Sequence, residues 1–181
     1  MSETSYGVRV RAVNQAGSGE ASASGTGSTT PPPITLMLGR LGTGGSHVLA
    51  LVDEGSGTPN RMYAFGNNDK GQLGLGDTVR RDSFVATSYT DFTSVGAGSQ
   101  FSFAIEETGG STKVRVWGFN GNQEFGSGVV GNPDTPEELP LPSGAAAPKQ
   151  VVGAGAASFM LDTNGDVWAW GWQQSGRLGN G

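Results

Sequence analysis

An all-β chain built from repeated blades is what this sequence predicts, on three observations. A glycine-rich segment recurs in register three times, about 50 residues apart. Short β-branched and aromatic runs fill the intervals between the copies. No interval carries the apolar period of an amphipathic helix. Such a period with several short strands per unit reads as a β-propeller or β-solenoid, where each unit leaves an apolar face for the next to cover.

The three glycine-rich copies are residues 65–76 (FGNNDKGQLGLG), 117–128 (WGFNGNQEFGSG) and 170–181 (WGWQQSGRLGNG). Phe65, Trp117 and Trp170 open them, 52 and then 53 residues apart. Gly66, Gly118 and Gly171 coincide, as do Leu73, Phe125 and Leu178, and the later glycines follow in phase. A second block repeats upstream of each: residues 42–51 (GTGGSHVLAL) match 96–105 (GAGSQFSFAI), and 153–161 (GAGAASFML) match with one residue deleted. Each repeat therefore reads Gly-x-Gly, apolar strand, turn, strand ending in aromatic-Gly, glycine loop.

A phosphate-binding loop is the rival reading of the first copy. It requires a Lys-Ser or Lys-Thr pair and a following helix. Neither is present, and residues 78–95 alternate as extended chain. The glycines are read as structural: they let a loop turn tightly against its neighbour where a Cβ does not fit.

The strands follow from alternation. Val114 and Val116 point one way, and Lys113, Arg115 and Trp117 the other. Asn164-Gly165 predicts a two-residue hairpin with left-handed residues. The matching turns in the earlier repeats, within residues 53–61 and 106–113, read as longer. Residues 92–98 and 148–155 are short apolar strands leading into the next Gly-x-Gly.

These residues resemble the RCC1 (regulator of chromosome condensation) repeat, a Gly-x-x-His-Ser-Leu-Ala-Leu strand followed by Trp-Gly-x-Asn-x-x-Gly-Gln-Leu-Gly-x-Gly. The resemblance covers about residues 42–181 and is strongest in the first repeat. It departs where Gln100 or Phe101 replaces the expected His, and where Gln123 replaces the loop glycine matched by Gly71 and Gly176. The resemblance implies a seven-bladed propeller and, for His47, a hydrogen-bonded packing role. About two and a half repeats are present, an incomplete ring: 42–95, 96–152 and a partial 153–181. The chain is therefore expected to be a piece of a longer protein, with ring completion by further copies as the alternative.

Residues 1–24 form a separate unit. Tyr6, Val8, Val10 and Ala12 alternate as a half-buried strand, then a turn cluster and a second short strand follow. Residues 5–24 resemble the last two strands of a fibronectin type III domain, and 25–41 read as a Gly/Ser/Thr/Pro linker.

Composition narrows the function classes. The chain has 181 residues, 32 Gly, 9 Pro, no Cys and a net charge of −5. Thiolate metal sites are excluded, and the acidic balance disfavours a nucleic-acid platform. No apolar run reaches membrane-spanning length, and the first residues lack the pattern of a signal peptide. His47 is the sole histidine. Asp53-Glu54 and Glu106-Glu107 are read as solvated turn charges. No cofactor, metal or catalytic set is expected.

Candidate contact residues lie where the copies differ. Phe119 and Trp172 occupy the position after aromatic-Gly, where the first repeat has Asn67, and exposed aromatics are typical interface anchors. Asn67, Asp69 and Lys70 vary between copies, and Arg80-Arg81 is the one adjacent basic pair. The resulting expectation is a non-enzymatic binding or structural scaffold, recognising a protein or cell-surface partner through its loops. Its expected setting is a larger secreted, cell-surface or phage virion protein, with self-association through unpaired blade surfaces. The alternative implied by the resemblance is a regulatory propeller, a GTPase exchange factor or enzyme inhibitor.

Overall fold

The computed structural model describes residues 13–14, 17–18, 40–53 and 60–179. Of the fibronectin-like unit it describes one antiparallel ladder, β1 (Val13–Asn14) with β2 (Gly17–Ser18); the rest of that unit and residues 25–39 of the linker lie outside the described residues.

The remainder is three antiparallel sheets. The first is β3 (Leu41–Thr43), β4 (His47–Val52), β5 (Arg61–Gly66) and β6 (Arg81–Ala86), paired in that order. The second is β7 (Phe92–Ala97), β8 (Phe101–Thr108), β9 (Ser111–Gly118) and β10 (Glu137–Glu138). The third pairs β11 (Pro148–Ala154), β12 (Ala157–Asp162) and β13 (Val167–Gly171). This is an incomplete propeller: three blades in sequence, without ring closure. The strand that leads into each Gly-x-Gly, β7 and β11, is the first strand of the sheet that follows.

Alternation sends the second sheet's two faces into different cores. Leu49, Leu51, Met62 and Ala64 of the first sheet meet Phe92, Val95, Ala104 and Trp117 of the second. The opposite face of the second sheet sends Phe101, Phe103, Ile105, Val114 and Val116 against Val151 and Met160 of the third. Val114 and Val116 thus part from Trp117, as alternation requires. First strands lie side by side, and β3, β7 and β11 line an inner groove of about 300 Å³.

Two turns differ from expectation. Thr108 pairs directly with Ser111, so the second sheet's hairpin has a two-residue turn, Gly109-Gly110, at φ 61° and 76°. Two consecutive left-handed residues are what a type I′ turn needs, and Gly-Gly supplies them. The third sheet has the longer turn. Gly165 alone is left-handed, at φ 93°. The reason is Asp162, fully buried, whose carboxylate accepts the N–H of Asn164 at 2.9 Å and of Asp166 at 3.0 Å. That side chain organises a three-residue turn that Asn-Gly by itself does not specify. The indole of Trp168 donates to the same carboxylate and, with the Ala146 N–H, holds it below the usual range against the opposing effect of burial. Glu106 also departs from a solvated turn charge: it lies on β8 and takes Arg115 at 2.6 Å.

Candidate functional site

All three glycine loops leave the same end of their sheets. Gly66, Gly118 and Gly171 end the strands there, opposite the start of β4, β8 and β12. The residue after each glycine donates its N–H to a turn carbonyl: Asn67 to Ser46 at 2.8 Å, Phe119 to Gln100 at 2.9 Å, Trp172 to Ala156 at 3.0 Å. Asn67, Phe119 and Trp172 are therefore equivalent positions on three successive blades.

Each of the first two loops is stapled by a buried or half-buried asparagine. Asn68 accepts the Leu73 N–H at 2.9 Å and donates to the Asp77 carbonyl at 2.7 Å. Asn120 accepts the Phe125 N–H at 2.9 Å and donates to the Val129 carbonyl at 2.8 Å. A second staple is also shared. Gln72 takes the Lys70 N–H at 2.8 Å, and Glu124 takes the Asn122 N–H at 2.9 Å.

Every such loop is latched to the next blade by a backbone carbonyl. The Gln72 carbonyl accepts the Ser102 hydroxyl at 2.8 Å and the Trp117 indole at 2.9 Å. The Glu124 carbonyl accepts the Ser158 hydroxyl at 2.6 Å. Close approach makes glycine necessary here. A Cβ on Gly74, at φ 70°, would lie 2.9 Å from the Trp117 indole nitrogen, and one on Gly126 would lie 2.7 Å from Trp170.

His47 belongs to the first latch. Its Nε2 lies 2.8 Å from the Ser102 oxygen. Ser102 gives its one proton to Gln72, so it accepts from His47, which places the imidazole proton on Nε2. Nδ1 is buried without a partner. Burial pushes the imidazole down from 6.5 to about 4, against the weaker opposing pull of the Phe101 backbone.

The remaining candidates fall into two groups. Asn67 and Asp69 bond each other on the first loop at 2.9 Å, with Lys70 beside them. Arg80 and Arg81 lie at the outer strand and each has an acid: Arg80 meets Asp82 at 2.9 Å and Arg81 meets Asp77 at 2.6 Å. Arg81 is the chief cause that holds Asp77 below its ordinary range. The second and third loops present aromatic side chains, with one exposed cation, Arg177, on the third. Phe119 lies half-buried across Gly121. Trp172 is 39% exposed, with the Arg177 guanidinium 4.7 Å from its ring centre. A small pocket beside Phe119 and a groove of about 490 Å³ beside Trp172 share Asn122 in their walls.

Asn122 and Arg177 escaped the sequence reading, and Gln123 was marked only as a departure from the loop glycine, although the variation between copies that marked Asp69 and Lys70 extends to Asn122 and Gln123 as well. Among the described residues, no cluster of three His, Cys, Asp or Glu is placed to hold a metal ion, and no helix is long and apolar enough to cross a membrane.

The family described as the Regulator of chromosome condensation (RCC1) repeat matches residues 60–105. The chain is 27% identical over 172 residues to the RCC1 domain-containing protein RUG3, mitochondrial, of Arabidopsis thaliana, covering 90% of this chain and 36% of that protein. It therefore spans about a third of that relative's length. Two solved structures share the fold. Human WBSCR16 superposes with a TM-score of 0.61 at 23% identity, over 72% of this chain and 32% of that one. Prp20p of Saccharomyces cerevisiae, described with its binding to Gsp1p and histones, gives 0.58 at 23% identity, over 72% and 30%.

Proposed function

Because the chain belongs to the RCC1-repeat family, we propose that it is a non-enzymatic scaffold that binds a protein or cell-surface partner through the loop end of its blades. One observation carries this reading. Three equivalent loops leave their strands at shared glycines, and the first two are latched to the following blade by a carbonyl, while the residues they present differ from blade to blade. A rigid frame with variable tips is the arrangement of a recognition surface. Phe119 and Trp172 are its anchors, with Asn67, Asp69 and Lys70 at the charged edge. Arg80 and Arg81 are weaker contributors, since their charges are already partnered. The setting we propose is a larger secreted, cell-surface or virion protein, supported by the resemblance of residues 5–24 to a fibronectin type III end.

The test is a binding screen of the whole chain against immobilised proteins and glycans. Phe119→Ala with Trp172→Ala, folded as judged by circular dichroism, is expected to lose at least about tenfold in affinity for whatever the native chain retains, as loss of an aromatic anchor does. Undiminished binding sinks the loop-end assignment. The similarity to Prp20p favours one further measurement, nucleotide release from a small GTPase. The scaffold reading expects no acceleration, and acceleration would move the assignment to exchange activity.

A further inference from the structure

The second glycine loop carries a carboxylate where the first carries an amide. Glu124 stands in the place of Gln72, and both are buried. Gln72 is satisfied within its own loop: its Oε1 takes the Lys70 N–H at 2.8 Å, and its Nε2 donates to Asp69 at 3.3 Å. In the second loop Gly121 takes the place of Asp69, and Asn122 that of Lys70. The acid is gained where the loop's own cation is lost. Among the described residues the Glu124 carboxylate takes hydrogen bonds from Asn122 alone, Oε2 from its N–H at 2.9 Å and Oε1 from its side-chain amide at 2.8 Å. No ion pair among the described residues includes it. A carboxylate 1% exposed and without a cation is costly to keep charged.

Glu124 lines the pocket of about 60 Å³ beside Phe119, together with Ser99, Gln100, Phe101 and Gly155. This pocket is separate from the path that crosses the first glycine loop. There residues 132–135 run over Gly71, Gly76 and Gly118. The Pro133 carbonyl accepts the Gly118 N–H at 2.7 Å, and the Asp134 carbonyl accepts the Gly76 N–H at 3.0 Å. A Cβ on Gly71 would lie 2.7 Å from the Asp134 Cα. The counterparts of those glycines are Gln123, Gly128 and Gly171, and none of them lines the pocket beside Phe119.

We infer that this pocket receives a primary ammonium group, the lysine side chain of a protein partner, with Glu124 as its counter-ion. The inference rests on the scaffold reading and names the side chain that the partner brings to Phe119. At roughly 15 Å³ per water-sized group the pocket takes about four heavy atoms, so a lysine Nζ and its last methylenes fit. Each Glu124 oxygen takes one bond from Asn122 and keeps a lone pair for an ammonium proton. Phe119 and Phe101 line the pocket with apolar surface on which lysine methylenes pack. A calcium ion is not served: it takes about six to eight oxygen ligands, and among the described residues no cluster of three acids stands here.

The probe is Nα-acetyl-lysine methylamide, titrated into the whole chain and followed by amide NMR. Saturable shifts in the millimolar range are expected at Phe119, Asn122 and Glu124, and none with the norleucine analogue, which lacks the charge. Glu124→Gln copies Gln72 of the first loop. It is expected to weaken the probe at least about tenfold with the fold intact by circular dichroism. The proposal fails if the probe gives no saturable shift, if the norleucine analogue binds as well, or if Glu124→Gln leaves binding unchanged. A protein partner lost on Phe119→Ala with Trp172→Ala, yet kept on Glu124→Gln, overturns the ammonium site and leaves the scaffold standing.

Discussion

The two blade junctions share one latch and differ in the side chains packed around it. In both, a serine of the receiving blade donates to a carbonyl of the incoming loop, Ser102 to Gln72 and Ser158 to Glu124. In the first, His47 caps that serine. Its counterpart in the second is Phe101, which packs edge-on against Phe125 at 5.7 Å and Phe103 at 5.5 Å. The carbonyl latch is thus the common element, and the histidine is one of two ways to fill the space beside it. The first junction is also the more closed: Trp117 is fully buried and its loop is crossed by residues 132–135, whereas Trp170 is half-buried beside an open groove.

The largest test of this contrast is truncation of the two tryptophans. Trp117→Ala removes a fully buried indole and its bond to Gln72, and is expected to destabilise the chain by about 4 kcal/mol in urea denaturation. Trp170→Ala is expected to cost about half as much, since part of that ring is already in water. Equal losses would break the claim that the junctions differ in closure.

Acid separates them next. His47 is held neutral in the folded chain, with its imidazole at about 4 instead of 6.5. The unfolded chain takes up this proton first as pH falls. The contribution is therefore whole above pH 6.5, declines by about 3 kcal/mol towards pH 4, and is gone below. Urea denaturation from pH 7 to pH 4 reads the slope. His47→Phe, which copies the second junction into the first, is expected to flatten it relative to the native chain; an unchanged slope would place the sensitivity elsewhere.

The smallest expected effect is a gain. Gln123 adopts a left-handed conformation that costs a side chain about 1 kcal/mol, and Gln123→Gly is expected to raise stability by about that amount in the same denaturation. No gain would mean the glutamine side chain makes compensating contacts within its loop.

Much of the frame was legible in the residues. The recurrence of Gly66, Gly118 and Gly171 marked the strand ends, and the alternation of Val114 and Val116 with Trp117 assigned two faces to β9. The turns were less legible. Gly109-Gly110 made the tight hairpin where length suggested a loose one, and Asn164-Gly165 did the reverse, because the distance between paired strands and the carboxylate of Asp162 decided the loop. Of the candidate surface, the variable loop tips could be marked from the copies. The stacking of Arg177 on Trp172 and the partnering of Arg81 by Asp77 depend on how each loop folds back on itself.

By itself, then, the sequence determined the repeat, the strand faces and the positions that tolerate no side chain, since all of these follow from local periodicity and from glycine's conformational range. Only the tertiary structure decided which carbonyl receives Ser102, that His47 is neutral, and that residues 132–135 cross the first glycine loop. Those features arise between side chains and backbone groups brought together across tens of residues by blade stacking. No local pattern encodes which carbonyl or which cavity a neighbouring blade will meet.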